Sequence, residues 1–242
     1  MKHYPPELSV VIPVHNEAEN IGPLVSEIRA TLDGMFDYEI IYVDDGSSDD
    51  TLQRLTELRR EVAHLRVFHH QKSCGQSTAV LTGVHAARAA WIVTLDGDGQ
   101  NDPADIPALL AARGEPDAPQ LICGYRRKRN DTWLKRLSSR VANGVRAGLL
   151  KDNTPDTGCG LKLFSRAAFL KLPHFDHMHR FLPALVLRNG GRVAGVNVNH
   201  RPRGHGKSNY GLHNRLWVGI IDIVGVMWLQ RRVKLPVVTE KE

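Results

Sequence analysis

A mostly parallel, doubly wound α/β sheet is the fold that this sequence predicts, and three observations predict it. Short apolar runs alternate with stretches of helical period, the pattern of strands joined by crossover helices. Polar residues cluster directly after the apolar runs, where such sheets bind ligands. The chain has 242 residues, 42% of them hydrophobic, which supplies one sizeable core and little more.

Residues 8–14 (LSVVIPV) read as a buried strand. The segment 17–33 then places Ile21, Leu24, Val25, Ile28 and Leu32 on one helical stripe. A second strand is expected at 40–43, followed by a helix whose Leu52, Leu55 and Leu58 share a face, with Ser48 or Asp49 as its N-cap. Further strands are expected at 65–68, 91–95 and 120–123. Trp133, Leu137, Val141, Val145 and Leu149 recur every four residues in a later helix. The main domain is expected over 1–211, with 212–242 as an apolar or amphipathic C-terminal segment.

Composition narrows the function classes. Cys74, Cys123 and Cys159 are far apart and form no CxxC pair, so no disulfide framework or zinc ribbon is expected and a reducing cytosol fits. The N-terminus lacks an apolar signal core. Residues 1–123 contain 9 Lys and Arg against 19 Asp and Glu, whereas 124–242 contain 23 against 7. An acidic half able to hold a cation thus precedes a basic half able to meet phosphates or an anionic membrane. No helix-turn-helix, zinc finger or RNP-type strand is present to read bases, so nucleic acid is not an expected partner.

The residues after the strands are the candidate site. Asp96 and Asp98 are two apart, so an extended chain projects both carboxylates to one face, with Gly97 between them. Oxygen donors at a sheet edge suit Mg²⁺ or Mn²⁺, with Gln100 as a neutral third ligand or the orienter of a bound water, and Asp102 nearby. Asp44 and Asp45 end the second strand, where one of them can accept from a nucleobase N–H or a ribose hydroxyl. Glu17 either meets a nucleotide or favours a helix N-terminus through the macrodipole. Paired histidines (His69, His70) and the His177, His179 pair lack a convincing third metal ligand and suit core or solvent roles.

These pieces, in their order, carry a family resemblance. Residues 11–17 (VIPVHNE), 43–49 (VDDGSSD) and 95–100 (LDGDGQ) look like the three signature segments of family-2 inverting glycosyltransferases. Together with Gly124-Tyr125-Arg126, residues 156–166 (DTGCGLKLFSR) and 200–210 (HRPRGHGKSNY), they resemble the dolichol-phosphate mannose synthase and undecaprenyl-phosphate sugar transferase branch over residues 7–211. The resemblance implies a nucleotide-sugar-binding sheet of GT-A type, with Pro13, Glu17, Asp44, Asp45, Gly75, Asp96 and Lys207 around the nucleotide sugar. It further implies a divalent Mg²⁺ or Mn²⁺ ion on Asp96, Asp98 and Gln100, catalytic roles for Asp98, Asp156 and Arg201, and Arg126, Lys135 and Ser139 on the acceptor phosphate. The sequence departs from many relatives in reading GKSNY at 206–210, with Lys207 as the displaced cation, and in having Lys at 135 where Arg is frequent. Asp156 is expected as a base, a metal-side group or an organiser of cations, or as a turn acid before Thr157.

The chemistry of the expected acceptor agrees. A phosphate monoester, with a second pKa of about 6, is already largely ionised near neutral pH and needs positioning more than deprotonation. The basic stretch from Arg126 can receive it. The apolar segment 216–229 would make a helix of about 21 Å, too short for a bilayer core of about 30 Å. It is expected in the membrane interface with Asp222 facing water, or docked on the sheet or a partner protein. The expected function is therefore transfer of a mannose- or glucose-type sugar from a GDP- or UDP-sugar to a polyprenyl phosphate, peripherally on the cytosolic membrane face. The alternatives are a soluble transferase with a saccharide or other hydroxyl acceptor and a non-catalytic nucleotide-sugar-binding module. A membrane-protein partner or homo-oligomer is also open.

Overall fold

The computed structural model describes residues 5–114, 118–126, 144, 146–152, 154–204, 212–234, 236 and 239, with side chains for all but 212–217. Its centre is a seven-stranded sheet in the order β3-β2-β1-β4-β6-β5-β7. The strands are β1 (Leu8–Val14), β2 (Tyr38–Asp44), β3 (Leu65–His69), β4 (Trp91–Thr94), β5 (Leu121–Arg126), β6 (Lys162–Ser165) and β7 (Val193–Val198). The first four are mutually parallel; β6 runs antiparallel between β4 and β5. The crossover helices are α1 (Ala18–Leu32), α2 (Thr51–Glu61), α3 (Gln76–Ala86) and α4 (Ile106–Ala111). Three more follow: α5 (Arg166–Phe169), α6 (Leu182–Arg188) and α7 (Leu212–Arg232).

All seven residues of β1 are buried, because alternate side chains enter opposite layers. Leu8, Val10, Ile12 and Val14 pack with Ile21, Leu24 and Ile28 of α1 and Leu55 of α2. Val11 faces the other way, with Ala79, Val80 and Val84 of α3, Leu185 of α6 and Val226 of α7. Burying both faces is the physical reason that the early strands read as unbroken apolar runs. Pro13 is tolerated in this central strand because odd-numbered β1 residues point their polar groups at β4, whose pairing ends at Val11↔Thr94.

The five expected strands are present. The sequence pattern did not disclose β6 and β7. β6 has only four residues, and β7 is an edge strand with a half-exposed, irregular pattern. Two local expectations are corrected. Neither Ser48 nor Asp49 occupies the N-cap position of α2, which falls on Asp50; Asp49 instead accepts from the Thr51 and Ala18 amides. Asp102 caps the 3-10 turn 103–105 through the Ala104 amide and does not join Asp96 and Asp98.

The C-terminal helix is longer than expected, about 31 Å at 1.5 Å per residue over its 21 residues. No helix among the described residues is long and apolar enough to cross a membrane. One face of α7 docks on the domain: Val226 is fully buried, Gln230 Nε2 donates to Leu150 O and Arg188 Nε donates to Leu229 O. Asp222 does not face water; its Oδ2 lies 3.1 Å from His177 Nδ1. The opposite face exposes Ile220, Ile221, Val224 and Trp228, with Ile221 69% and Trp228 57% accessible.

Candidate active site

The carboxyl ends of β1, β2 and β4 and the start of β6 converge on Asp96. Its backbone amide donates to Asn101 Oδ1, which folds the 96–101 turn back on itself. Its Oδ1 accepts from Gln76 Nε2 at 2.9 Å, so the first residue of α3 holds the carboxylate in place. The opposite wall is Gly160, where any Cβ would overlap the Asp96 carboxylate. Gly97 is constrained similarly, because a Cβ there would collide with Val14. Burial pushes the Asp96 carboxyl above its ordinary range, and the Asp98 charge adds to this. Lys162 and Arg126 act in the opposite direction, so both cations sit close enough to sense it.

Asp96, whose proton affinity the neighbouring Asp98 charge raises, forms with Asp98 a donor set suited to a hard divalent cation, which would relieve that repulsion. Asp98 Oδ1 accepts from the Gln100 amide at 3.1 Å, and its Oδ2 lies 3.7 Å from Arg203 Nη1. Gln100 is partly exposed, and its carbonyl accepts from the Arg201 amide. The donor chemistry of Asp96, Asp98 and Gln100 therefore fits Mg²⁺ or Mn²⁺.

Asp44 and Asp45 are both turned inward. Asp45 accepts from His70 Nδ1, the Cys74 and Gly75 amides and Ser73 Oγ, at 2.7 to 2.9 Å. Those four donors fill its lone-pair sites and hold its carboxyl below the usual range against the opposing effect of burial. Asp44 accepts from Ser47 and lies 2.8 Å from His69 Nδ1. Asp45 thereby organises the loop from Ser73 into α3, entered through Gly75 at φ +88°. Glu17 occupies the N-cap position of α1 without a side-chain capping bond: it accepts from Asn20 Nδ2 and pairs with Arg203, and burial raises its carboxyl.

On the other side of Asp96, Asp156 and Arg126 form a forked ion pair, and Asp156 is thus an organiser of a cation. Lys162 is buried and donates to the Cys159 and Thr157 carbonyls. Arg201 is engaged elsewhere, by both Glu27 oxygens and the Asn101 carbonyl. Lys135, Ser139 and Lys207 lie outside the described residues.

Gln76, Gly160, Lys162 and Arg203 are the site residues that sequence reasoning did not single out. Lys162 and Gly160 lie in the 156–166 segment and Arg203 in the 200–210 segment, but nothing local distinguishes them from their neighbours. Gln76 stands alone, and only its position at a helix start opposite β4 could have flagged it.

Residues 9–172 match the family described as Glycosyl transferase family 2. The chain belongs to that family. It is 36% identical over 237 residues to the dodecaprenyl-phosphate galacturonate synthase of Rhizobium johnstonii, covering 95% of this chain and 69% of the relative. It is 32% identical over 207 residues to the undecaprenyl-phosphate 4-deoxy-4-formamido-L-arabinose transferase of Edwardsiella ictaluri, covering 85% and 63%. The chain thus spans under two thirds of this second relative's length. In fold, this family-2 chain is similar to the glucosyl-3-phosphoglycerate synthase of Mycobacterium tuberculosis, whose crystal structure holds Mn²⁺, UDP and glucosyl-3-phosphoglycerate. The TM-score is 0.71 at 20% identity, over 93% of this chain and 80% of that one.

Proposed function

We propose that this chain transfers a sugar from a nucleoside diphosphate sugar, a GDP- or UDP-sugar, to a polyprenyl phosphate at the cytosolic membrane face, with inversion. The observation that carries this reading is the meeting at Asp96 of an acidic partner, Asp98, with two cations, the partly buried Arg126 and the buried Lys162. A leaving diphosphate and an anionic acceptor both need cationic surroundings, and a carboxylate pair supplies the place for one more cation. Its relatives' names support the lipid acceptor and, with galacturonate and formamidoarabinose, widen the sugar beyond the mannose or glucose type.

In this reading Asp96, Asp98 and Gln100 hold Mg²⁺ or Mn²⁺, which stabilises charge growing on the leaving diphosphate. Asp156 keeps the Arg126 guanidinium aimed, and Arg126 with Lys135 and Ser139 binds the acceptor phosphate. Glu17 and Arg203 close the nucleotide side, with Lys207 as a further cation. Pro13 and Gly75 shape the backbone there. Because the acceptor oxygen is already ionised, no carboxylate has to act as a base. The exposed apolar face of α7 supports contact with a membrane surface, where such an acceptor resides.

The test is an assay of the purified chain with a short polyprenyl phosphate, a panel of GDP- and UDP-sugars, and Mn²⁺ or Mg²⁺. Metal-dependent formation of the sugar phospholipid with one donor is the expected result. No lipid-linked product with any donor overturns the reading, and transfer to a saccharide in its place moves the chain to the hydroxyl-acceptor class.

A further inference from the structure

A cavity of about 410 Å³ lies between α7, α6 and the helical turn at 146–150. Its lining includes the apolar Leu149, Leu187 and Met227 and the cationic Lys151, Arg188 and Arg231; among the described residues no acidic one lines it. The walls are tied together, since Gln230 Nε2 donates to Leu150 O at 2.8 Å and Arg188 Nε to Leu229 O at 2.9 Å. Among the described residues, Lys151 and Arg231 have no ion-pair partner. Leu149 and Leu187 stay exposed despite being apolar.

Three cations without a counter-charge make a poor seat for an apolar protein segment, and apolar walls add nothing to the binding of a free anion. An anionic amphiphile satisfies both. Ile221, Val224 and Trp228 recur at helical spacing on α7 with Arg231 next on the same face, so the apolar stripe runs directly to the cationic rim. The geometry points to this cavity as the seat of the headgroup phosphate of an anionic phospholipid, with the α7 stripe in the acyl boundary of the same leaflet. The inference rests on the membrane contact proposed above and adds its lipid specificity.

The cavity is separate from the donor side. Asp222, on the same helix, meets His177, next to Asp176 beside Gly75. Arg231 lies nine residues farther along, about 13 Å on the helix axis. A lipid bound there would orient the enzyme on the bilayer without entering the reaction.

Vesicle cosedimentation of the full chain tests this, comparing pure phosphatidylcholine with phosphatidylcholine containing phosphatidylglycerol, both free of polyprenyl phosphate. The chain is expected to bind the anionic vesicles at least tenfold more tightly. The Lys151→Glu/Arg231→Glu double variant should lose about tenfold or more of that affinity, given the contribution of each basic residue near an anionic surface. The control is Arg54→Glu/Arg59→Glu, on exposed positions of α2 in the other layer of the sheet, which should keep most of it. Thermal unfolding of both variants checks folding. Equal binding to pure phosphatidylcholine, an equal loss in the control, or a requirement for polyprenyl phosphate each overturns the inference. Transfer to a short soluble polyprenyl phosphate should be unchanged in the double variant. If vesicle binding behaves as stated but no transfer occurs in any form, the enzymatic reading fails and this one stands.

Discussion

Asp156 grips Arg126 from both oxygens, with Nε to Oδ2 at 2.6 Å and Nη2 to Oδ1 at 2.7 Å, and their side chains are only 10% and 13% exposed. Removing one partner of a buried pair leaves the other uncompensated, at a cost of about 3–5 kcal/mol. Asp156→Ala should therefore lower unfolding free energy by about 3 kcal/mol in urea titration and impair use of the acceptor. Asp156→Asn, which retains one acceptor oxygen, should lose less stability.

Gln76 acts on Asp96 through one hydrogen bond. A bond of this kind is worth about 1–2 kcal/mol, so Gln76→Leu should weaken Mn²⁺ binding by about five- to thirtyfold in calorimetry. Because Gln76 opposes the rise in the Asp96 proton affinity, the variant's metal binding should also fade at a higher pH than the parent's. An unchanged pH dependence would show that Gln76 only packs.

The Asp96 carboxyl titrates above its unfolded value. The native state then holds its proton more tightly than the unfolded chain, and stability declines as pH rises from the unfolded pKa through the folded one. Asp96→Asn removes that buried charge while keeping an acceptor for Gln76. The metal-free variant should melt at a higher temperature than the parent at neutral pH, with the difference vanishing in acid, while losing its thermal response to Mn²⁺.

Gly160 is the back wall of the same carboxylate. Gly160→Ala forces Asp96 to move, and a displacement of about 1 Å at a reacting centre can cost about a hundredfold in rate. Steady-state kinetics should show a fall of that order in kcat.

Arg201 and Arg203 should separate cleanly. Arg203 reaches Glu17 and Asp98, whereas Arg201 is spent on Glu27 and the Asn101 carbonyl. Arg203→Ala should reduce transfer by tenfold or more, in line with loss of a charge-assisted contact. Arg201→Ala should act mainly on thermal stability.

How far the sequence discloses this molecule follows from how local each signal is. β1 and α1 were legible because every large aliphatic side chain in them is buried and the period is clean. The Asp96-Gly97-Asp98 motif was legible because its chemistry lies within three residues at a strand end. β6 was not, since a four-residue strand inserted antiparallel between β4 and β5 depends on partners far away in the chain. The inward rotation of Asp45 was equally hidden: its four donors come from residues 70 to 75, and no pattern around Asp45 announces them. The sequence placed Asp222 toward water by treating the tail as an isolated helix, but docking on the domain gave it His177.

The insertion of β6 also sets an order of assembly. Ile92 pairs with Phe164, and both the back wall at Gly160 and the cation Lys162 arrive on that strand or just before it. Parallel pairing of β1 to β4 uses only residues up to 94, so the nucleotide-side scaffold can form while the rest of the chain is still being synthesised at about 5–20 residues per second. Until residue 165 has emerged, Asp96 lacks both its wall and its neighbouring ammonium. A nascent or truncated chain ending before β6 would have its acidic motif but no finished site.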